Sequence, residues 1–341
     1  MGDVFRAGCI GLGNIFRDRH QVALEGLPGW EVARVYDVSA DAVARALEKS
    51  PGARVAGSPE EILDAPDVDA VVICTPPHVR RDFVLRAARN GKHLMLEKPI
   101  ARKLEDARAM AEAIETARVA CFVPFTRTYW PGEQKCLEWA RSGRFGRPVS
   151  FVHNSITPPY AYREGEYAWM NDRDGSGGPM FDYSIHFLDF ALKTFASPPT
   201  AVWRHSKHYS PRTIRCEDVC TMIVEFGDQG AATFVKVSAV RPDAGFWHET
   251  CHITCEHGQI VMPNGYSAEF FHEGRHERFE QESRPEIWAK ERFDAFTELA
   301  DCIRTGRKCS SNEQDGLRTI EVLEAGFRSE ALGRRVLMSE L

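Results

Sequence analysis

The first third of the chain repeats one pattern, in which a short apolar run is followed by a helix-like stretch of roughly 10–15 residues. Two parallel strands can be joined only by a long crossover connection, which is usually a helix. The repeat therefore predicts an α/β domain built on a doubly wound parallel sheet over residues 1–123. The apolar runs lie at residues 4–11, 30–37, 69–78, 94–96 and 119–123.

The fourth apolar run ends abruptly in Glu97, Lys98 and Pro99. Proline cannot donate to a sheet ladder, so Pro99 ends the strand and leaves Glu97 and Lys98 at its carboxyl end. Ligands of open α/β sheets bind at this edge. Lys98 is therefore a candidate for polarising a substrate hydroxyl or carbonyl, although the two residues taken alone fit a surface ion pair equally well.

A glycine-rich turn follows the first apolar run, with Gly11 and Gly13 at the first two positions of a dinucleotide-binding fingerprint. Gly11 permits a tight turn, and Gly13 lets the backbone approach a pyrophosphate. A large residue, Phe16, stands at the third position, where a small one is usual. A helix is predicted over residues 14–25, with its first amides facing the phosphates.

Asp37 ends the second apolar run, 24 residues after Gly13. An acid near this position holds the ribose diol of NAD and repels the 2′-phosphate of NADP. The sequence therefore predicts NAD, with NADP still possible because Arg34 and Arg45 are near. The alternative role for Asp37 is to cap the helix that begins near Ser39.

Two prolines stop the third apolar run just after Thr75. Because the strands of a parallel sheet end at the same edge, we expect Thr75, Pro76 and His78 to line the cofactor cleft. A helix over residues 79–90 follows and ends at Gly91, which is a favourable residue after a helix.

After Pro124 the pattern changes to a second predicted domain, residues 124–341, for substrate binding and oligomerisation. Runs of strands without intervening helices predict an antiparallel sheet. The expected helices lie at residues 130–142, 181–195, 286–305 and 313–332, and residues 158–180 and 272–284 read as loops or a hairpin. The expected strands lie at residues 149–157, 200–209, 217–226, 230–240, 247–256, 259–263 and 267–272.

Asp182 and His186 are four residues apart, so one continuous helix would place them on the same face. Histidine can take and return a proton near neutral pH, and a carboxylate one turn away can orient the imidazole. The other interpretation is a capped helix with a structural His–Asp pair. The glycines that precede Asp182 favour close approach of this helix to another element.

Composition and charge narrow the class of protein. The chain is 43% hydrophobic and 27% charged, and its net charge of -6 disfavours a nucleic-acid partner. We expect no membrane span and no signal peptide, and the ten cysteines include no CxxC pair. These features predict reduced thiols and a cytoplasmic location.

A group of histidines and cysteines near residue 250 looks at first like a metal site. If residues 247–256 form a strand, however, its cysteines point to one face and its histidines to the other. The spacing fits neither common zinc pattern, so no metal is expected. The group consists of His248, Cys251, His252, Cys255 and His257.

Three motifs in this order resemble the glucose–fructose oxidoreductase, inositol dehydrogenase and rhizopine-catabolism family (Gfo/Idh/MocA). They are the G-x-G turn, the E-K-P that ends a later strand, and a G-G-x-x-x-D-x-x-x-H run beginning at Gly177. The resemblance spans nearly the whole chain. It implies a Rossmann domain, then an α/β domain with a large, mostly antiparallel sheet that forms a homodimer or homotetramer. It also implies an NAD(P)-dependent dehydrogenase acting on a sugar, cyclitol or related polyol.

The resemblance also implies roles for individual residues. His186 takes the hydroxyl proton, Lys98 stabilises the developing alkoxide, and Asp182 binds a neighbouring hydroxyl or steadies His186. The residues matched to the cofactor are Gly11, Gly13, Asn14 and Ile15 at the pyrophosphate, Asp37 at the ribose, and Thr75, Glu97 and Lys98 at the nicotinamide side of the cleft; from their position alone, Pro76 and His78 are predicted to line the same cleft.

An aromatic loop over residues 155–173 either shapes the substrate pocket or packs at a subunit interface. Arg127 follows the domain junction and is predicted to contact substrate or cofactor. The predicted substrate-binding residues are Lys98, Arg127, Tyr160, Trp169, Asp182 and His186.

This chain departs from the family pattern after the third strand, where many members carry T-P-N-x-x-H. Here Pro77 replaces the asparagine and Arg80 replaces the histidine. Two other functions remain open at this point: a non-catalytic regulator that binds NAD or sugar, and an enzyme that uses NAD transiently, as some glycosidases and epimerases do.

Overall fold

The structure is a computed structural model that describes residues 4–158, 165–209, 215–238, 248–282 and 285–341. The chain divides into two compact units. The first comprises Met1–Pro124 and Arg284–Ile320, and the second comprises Phe125–Ser283 and Glu321–Leu341.

The predicted boundary after residue 123, as a division into functional domains, stays a prediction. The compact units show in addition that a later segment of the chain belongs to the first unit. Trp30 shows why, because its indole Nε1 donates to the carbonyl oxygen of Phe296 at 3.2 Å and its ring packs edge-on against the Phe296 ring. The helix that carries Phe296 therefore covers the start of the second strand.

The first unit contains a six-stranded sheet whose order is β3-β2-β1-β4-β5-β6 and whose described pairs are all parallel. The order reverses between β1 and β4, which creates the switch point where ligands of such sheets bind. The predicted doubly wound sheet is confirmed. Its strands are β1 Phe5–Ile10, β2 Trp30–Tyr36, β3 Arg54–Val55, β4 Ala70–Ile73, β5 His93–Leu96 and β6 Cys121–Phe122.

The second unit contains a nine-stranded sheet of order β14-β13-β12-β11-β7-β10-β9-β8-β15. Among the pairs described, only β7 and β10 run parallel, so the predicted, mostly antiparallel sheet is confirmed. Its strands are β7 Pro148–Ile156, β8 Ala201–Lys207, β9 Val219–Glu225, β10 Ala231–Val237, β11 His248–Cys255, β12 Gly258–Asn264, β13 Ser267–His272, β14 Arg275–Glu280 and β15 Val336–Leu337.

Helices connect and cover the strands. In the described part of the chain, none of them is both long and apolar enough to cross a membrane. The short π-helix Phe16–His20 precedes α1, and 3₁₀ turns occur at Pro77–Val79, Thr126–Tyr129, Gly165–Asn171 and Met338–Glu340. The α-helices are α1 Gln21–Gly26, α2 Ala40–Lys49, α3 Pro59–Leu63, α4 Arg81–Arg89, α5 Leu104–Ala117, α6 Pro131–Arg141, α7 Arg173–Ser176, α8 Pro179–Asp182, α9 Ile185–Thr194, α10 Pro285–Thr305 and α11 Glu313–Leu332.

The predicted continuous helix over residues 181–195 is wrong. Asp182 ends α8, and His186 lies in the first turn of α9. At the break, the backbone N–H of His186 donates to the carbonyl of Tyr183 at 3.4 Å, three residues back instead of four. Ser184 has a ψ of -8°, which interrupts the regular ladder.

Candidate functional site

The glycine turn lies at the carboxyl end of β1, against the end of β4. Gly11 has a φ of +86°, a region that favours glycine. A Cβ at Gly11 would lie 2.8 Å from the carbonyl carbon of Cys74 and 2.8 Å from the backbone nitrogen of Thr75. Both the conformation and the space therefore require glycine at this position.

The chain enters its first helix directly after Gly13, whose carbonyl accepts the N–H of Arg17 at 3.0 Å. Asn14 and Ile15 are exposed, whereas Phe16 is fully buried. The first turn is a π-helix, a form that often occurs at functional sites. The large third fingerprint residue therefore coincides with a widened first turn, and the turn's outer residues face solvent.

Asp37 connects the glycine turn to the start of α2. Its Oδ2 accepts the N–H of Leu12 at 2.6 Å, and its Oδ1 accepts the N–H of Ser39 at 2.8 Å. Ser39 itself caps α2, because its hydroxyl accepts the N–H of Ala42. The alternative role of Asp37 as the cap is therefore wrong. Each carboxylate oxygen retains an acceptor site, so the half-buried group can still bind a ribose diol.

Arg34, the arginine on the strand that leads to Asp37, is paired with a different acid. Arg34 Nε donates to Asp67 Oδ1 at 3.0 Å and its Nη2 donates to Oδ2 at 3.2 Å, which is the paired geometry of a bidentate ion pair. Arg45 is exposed on α2. The acid at the end of β2 is therefore not offset by Arg34, an arrangement that suits NAD better than NADP.

Thr75 lies where β4 ends, next to the glycine turn. Its hydroxyl oxygen is buried and has no hydrogen-bond partner within the described ranges. A buried hydroxyl without a partner is costly, so a ligand that supplies one would be favoured here. Together with the close backbone approach at Gly11 and the acceptor sites of Asp37, this atom shows that the residues present fit a dinucleotide. Pro76 is half-buried and His78 is exposed at the same edge.

Glu97 is buried at the end of β5 and forms a pair that the sequence did not reveal. Its Oε1 lies 2.8 Å from His20 Nε2, and its Oε2 accepts the N–H of Lys98 at 3.0 Å. Burial opposes the charged form of Glu97. The hydrogen bond from His20 and the neighbouring positive charges outweigh burial, so the pKa of Glu97 lies below its ordinary value. Glu97 is therefore ionised, and its carboxylate fixes the backbone N–H of the half-buried Lys98.

Arg80 is the second buried group at this edge and is only 4% exposed. Its Nε donates to the carbonyl of Thr75 at 2.7 Å. Its Nη1 donates to the carbonyls of Glu97 and Pro99. Arg80 therefore joins the ends of β4 and β5 and holds the backbone on both sides of Lys98.

In the second unit, Asp182 and His186 lie at the junction of α8 and α9, and both are half-buried. The glycine lead-in allows α8 to begin tightly against another element. Gly178 has a φ of +89°, and a Cβ there would lie 2.6 Å from Glu217 Oε2. The His186 ring packs edge-on against Phe125, with ring centroids 6.1 Å apart.

A buried charge network centres on Arg127 and includes Tyr183, the residue that follows Asp182. Arg127 Nε donates to Glu133 Oε1 at 2.9 Å, its Nη2 lies 2.7 Å from Glu249 Oε1, and its Nη1 donates to the Tyr183 hydroxyl at 3.3 Å. Burial opposes the charged guanidinium, but the two carboxylates outweigh it and raise the pKa of Arg127. The structure thus gives Arg127 a role in holding Tyr183, and its contact with substrate or cofactor stays a prediction.

Lys236 is a further buried cation near Asp182, and it is 1% exposed on β10. Its Nζ donates to Ser155 Oγ at 3.0 Å and to Thr157 Oγ1 at 3.1 Å, and it lies 4.5 Å from the centroid of the Tyr183 ring. Burial lowers the pKa of Lys236 to about 8, against the carboxylates of Glu249 and Asp182. When protonated, Lys236 therefore places a positive charge close enough to interact with the Asp182 carboxylate.

The structure brings most of the predicted cofactor residues together. At the carboxyl edge of the first sheet lie Gly11, Gly13, Asp37, Thr75, Pro76, Glu97 and Lys98. Tyr160 falls outside the described residues, whereas Trp169 lies half-buried in a 3₁₀ turn. The functional assignments of all these residues, of Asp182 and of His186 stay predictions.

Two groups escaped the sequence analysis for different reasons. His20 gives no local signal, since its partner Glu97 lies 77 residues away. Lys236 could have been found, because alternation along β10 places it on the same buried face as Ala232 and Phe234. A lysine on the buried face of a strand is unusual enough to mark a site.

The cysteines and histidines near residue 250 alternate as predicted. Cys251 and Cys255 are buried, and His248 and His252 are exposed on the opposite face of β11. The predicted hairpin over residues 272–284 is confirmed in part, since β13 and β14 pair through a turn at Glu273 and Gly274.

Two family models match the chain. Residues 5–125 match a model described as an oxidoreductase family with an NAD-binding Rossmann fold. Residues 134–261 match the GFO/IDH/MocA C-terminal domain. The two matched ranges together cover most of the chain and include the G-x-G, E-K-P and D-x-x-x-H motifs.

Individual proteins are similar over long stretches. The chain is 29% identical over 246 residues to a scyllo-inositol 2-dehydrogenase (NAD(+)) of Bacillus subtilis, which covers 70% of this chain and 68% of that protein. It is 25% identical over 348 residues to a D-apiose dehydrogenase of Paraburkholderia graminis, covering 99% and 90%. A solved levoglucosan dehydrogenase in complex with NADH superposes with a TM-score of 0.87 over 98% of this chain and 99% of that one. At 18% identity, that likeness shows the fold.

Proposed function

This chain belongs to the Gfo/Idh/MocA family of oxidoreductases with an NAD-binding Rossmann fold, and we propose that it oxidises or reduces a secondary alcohol position of a sugar, cyclitol or related polyol. The relatives named as inositol, levoglucosan and apiose dehydrogenases support this substrate class. Bound NAD supplies the hydride acceptor or donor.

The chain's own residues carry the proton and charge chemistry in this proposal. His186 takes the proton of the substrate hydroxyl during oxidation and returns it during reduction. Lys98 stabilises the negative charge that develops on the reacting oxygen, a contribution of roughly 3–4 kcal/mol in comparable oxyanion sites. Asp182 binds a neighbouring hydroxyl or orients His186. The break between α8 and α9 means that Asp182 does so from a separate short helix.

The observation that supports the proposal most strongly is the arrangement around Lys98. An exposed lysine after a strand would need no buried framework. Here the backbone on either side of Lys98 is fixed by two buried charged groups, Glu97 and Arg80. Buried groups that fix the backbone around a single side chain are typical of the surroundings of a catalytic group.

A panel of sugars, cyclitols and related polyols tests the proposed reaction, with NAD and NADP each supplied as oxidant. We expect NADH to accumulate with at least one secondary alcohol, and NADP to be the poorer oxidant because of Asp37. NADH binding without turnover on a broad panel would instead support a non-catalytic regulator. Consumption of substrate without net NADH would support transient use of NAD.

We also propose that the chain forms a homodimer or homotetramer through the second sheet. Six residues on six neighbouring strands pair side by side and form a row across one face of the second sheet. This face is opposite the buried face, and the side chains of the row are half-buried or exposed. A nearly continuous row of this kind suits a second copy of the same sheet. A charge at Trp203, such as Trp203→Glu, is expected to lower the mass measured by light scattering. The row consists of Trp203, Ile223, Thr233, Val152, His252 and Val261.

A cytoplasmic location completes the proposal. It is supported by the ten cysteines, all of which are free thiols. Several are buried and serve as small apolar side chains, as expected for a protein in a reducing compartment. Fractionation of cells that express the full chain tests this location.

A further inference from the structure

Arg80 occupies a place that suits a positioning residue. It lies after the 3₁₀ turn Pro77–Val79 and is almost completely buried. Its guanidinium donates three hydrogen bonds to backbone carbonyls. Those carbonyls belong to Thr75, Glu97 and Pro99, and the last two lie immediately before and after Lys98.

We infer that Arg80 is a positioning residue for Lys98. The guanidinium of Arg80 fixes the peptide carbonyls on either side of Lys98. The inference rests on the proposed catalytic role of Lys98. The direction of the Lys98 side chain depends on the conformation of the backbone that carries it. Three polar groups of that backbone, one N–H and two carbonyls, are held by hydrogen bonds to two different side chains. Glu97 binds the Lys98 N–H, and Arg80 binds the carbonyls of Glu97 and Pro99.

The guanidinium is the side chain that fits this task. It has five N–H donors in a rigid planar fork, so one group can serve three carbonyls that point from different directions. A lysine would bring a single flexible ammonium, and a neutral histidine would bring one donor. A buried carbonyl left without a donor is unfavourable and would let the backbone around Lys98 relax.

The charge of Arg80 also acts on Glu97. Burial raises the pKa of Glu97, but the hydrogen bond and charge of His20 and then the charges of Lys98 and Arg80 lower it below its ordinary value. Loss of Arg80 would therefore also remove one of the charges that favour the ionised form of Glu97, which accepts the Lys98 N–H.

Lys92 provides a matched control in the same unit. It is a buried cation, and its Nζ donates to two carbonyls, those of Ala65 at 2.6 Å and Val68 at 2.7 Å. It precedes β5, whereas Lys98 follows it, so Lys92 lies toward the other end of that strand. Lys92→Met should therefore cost stability in a similar way without disturbing Lys98.

The first measurement reads Lys98 directly and needs no substrate. All lysines are reductively methylated with ¹³C, and the Lys98 resonance is assigned by its loss in Lys98→Arg. We expect Arg80→Met to shift or broaden this resonance, with and without NADH, and Lys92→Met to leave it unchanged. An unchanged resonance in Arg80→Met, or an equal change in Lys92→Met, would overturn the inference.

The second measurement is turnover on a polyol that the wild type oxidises. We expect Arg80→Met to lower kcat about 100-fold, as expected when a catalytic group is misplaced by about 1 Å, while NADH still binds. If Arg80→Met fails to fold, Arg80→Lys replaces it in both measurements, and wild-type values there would contradict the need for a fork of donors. Absence of turnover by the wild type would refute the proposed function, whereas the resonance of Lys98 would still decide the role of Arg80.

Discussion

Replacement of His20 by alanine tests the buried pair that holds Glu97 at the edge of the first sheet. His20 and Glu97 are 5% and 7% exposed, and the variant leaves the Glu97 carboxylate buried without its nearest partner. Breaking such a pair costs about 3–5 kcal/mol. The lower end applies here, about 3 kcal/mol, because the carboxylate keeps the N–H of Lys98.

The pH dependence of this loss follows from the pKa of Glu97. In the wild type the folded pKa lies below the ordinary value of 4.5, so the stability it contributes is present above that value and is lost as the pH falls through the folded pKa. Without His20, the largest influence that lowers this pKa is gone, so the folded pKa rises. The difference between wild type and His20→Ala is therefore largest at neutral pH and shrinks as the pH falls through the raised pKa of Glu97 in the variant and then through the lower pKa of the wild type.

Urea unfolding followed by tryptophan fluorescence measures the loss, with His257→Ala as the matched control because His257 is exposed in the turn between β11 and β12. The double variant with Glu97→Gln gives the coupling between the two residues. A loss of less than about 1 kcal/mol at neutral pH, well below the cost of breaking a buried pair, would refute the reasoning. Additive effects in the double variant would do the same.

Three further predictions concern other parts of the site. Between its folded pKa of about 8 and its ordinary pKa of 10.5, Lys236 is protonated only in the unfolded chain. The free energy of unfolding should therefore rise with pH by about 3 kcal/mol across this range. Urea unfolding should show this rise in the wild type and not in Lys236→Met. Gly11→Ala should lower stability by at least about 1–2 kcal/mol and weaken NADH binding in a fluorescence titration, whereas Gly52→Ala, where a Cβ meets nothing within 4 Å, should do neither. Asp37→Ser should raise the ratio of NADP to NAD turnover about tenfold or more, because it removes a like-charge contact, and an unchanged ratio would argue against the ribose role.

The first unit could be predicted well because its signals are local. Each strand is a short apolar run closed by glycine, an acid or proline, so the sequence places Gly11, Asp37, Thr75 and Lys98 at the same edge. The structure has them there. What the sequence could not supply is the pairing of His20 with Glu97, since neither residue has a pattern that identifies the other.

Arg80 illustrates a different limit. From the sequence it is a departure from a family pattern, with no indication of what the change does. Only the fold shows that its guanidinium reaches the carbonyls on both sides of Lys98. The departure therefore leads to a specific hypothesis about Lys98, the proposed catalytic lysine.

The second unit was predicted less fully because non-local pairings decide it. The spacing of Asp182 and His186 suggested one helix face, but the turn at Tyr183 and Ser184 separates them into two helices. The parallel pairing of β7 with β10 is likewise invisible in the sequence, since the strands lie far apart along the chain. The return of α10 to the first unit depends on its contacts with Trp30, which no local pattern announces.

The most direct test of the central claim compares Lys98→Met with Lys103→Met, an exposed lysine in the same unit. NADH binding is measured by fluorescence for each variant, and turnover is measured on a polyol that the wild type oxidises. We expect Lys98→Met to bind NADH but to lose about 100- to 1000-fold in kcat, and Lys103→Met to match the wild type. Turnover by Lys98→Met within a few-fold of the wild type would contradict the assignment of Lys98 as the group that stabilises the reacting oxygen.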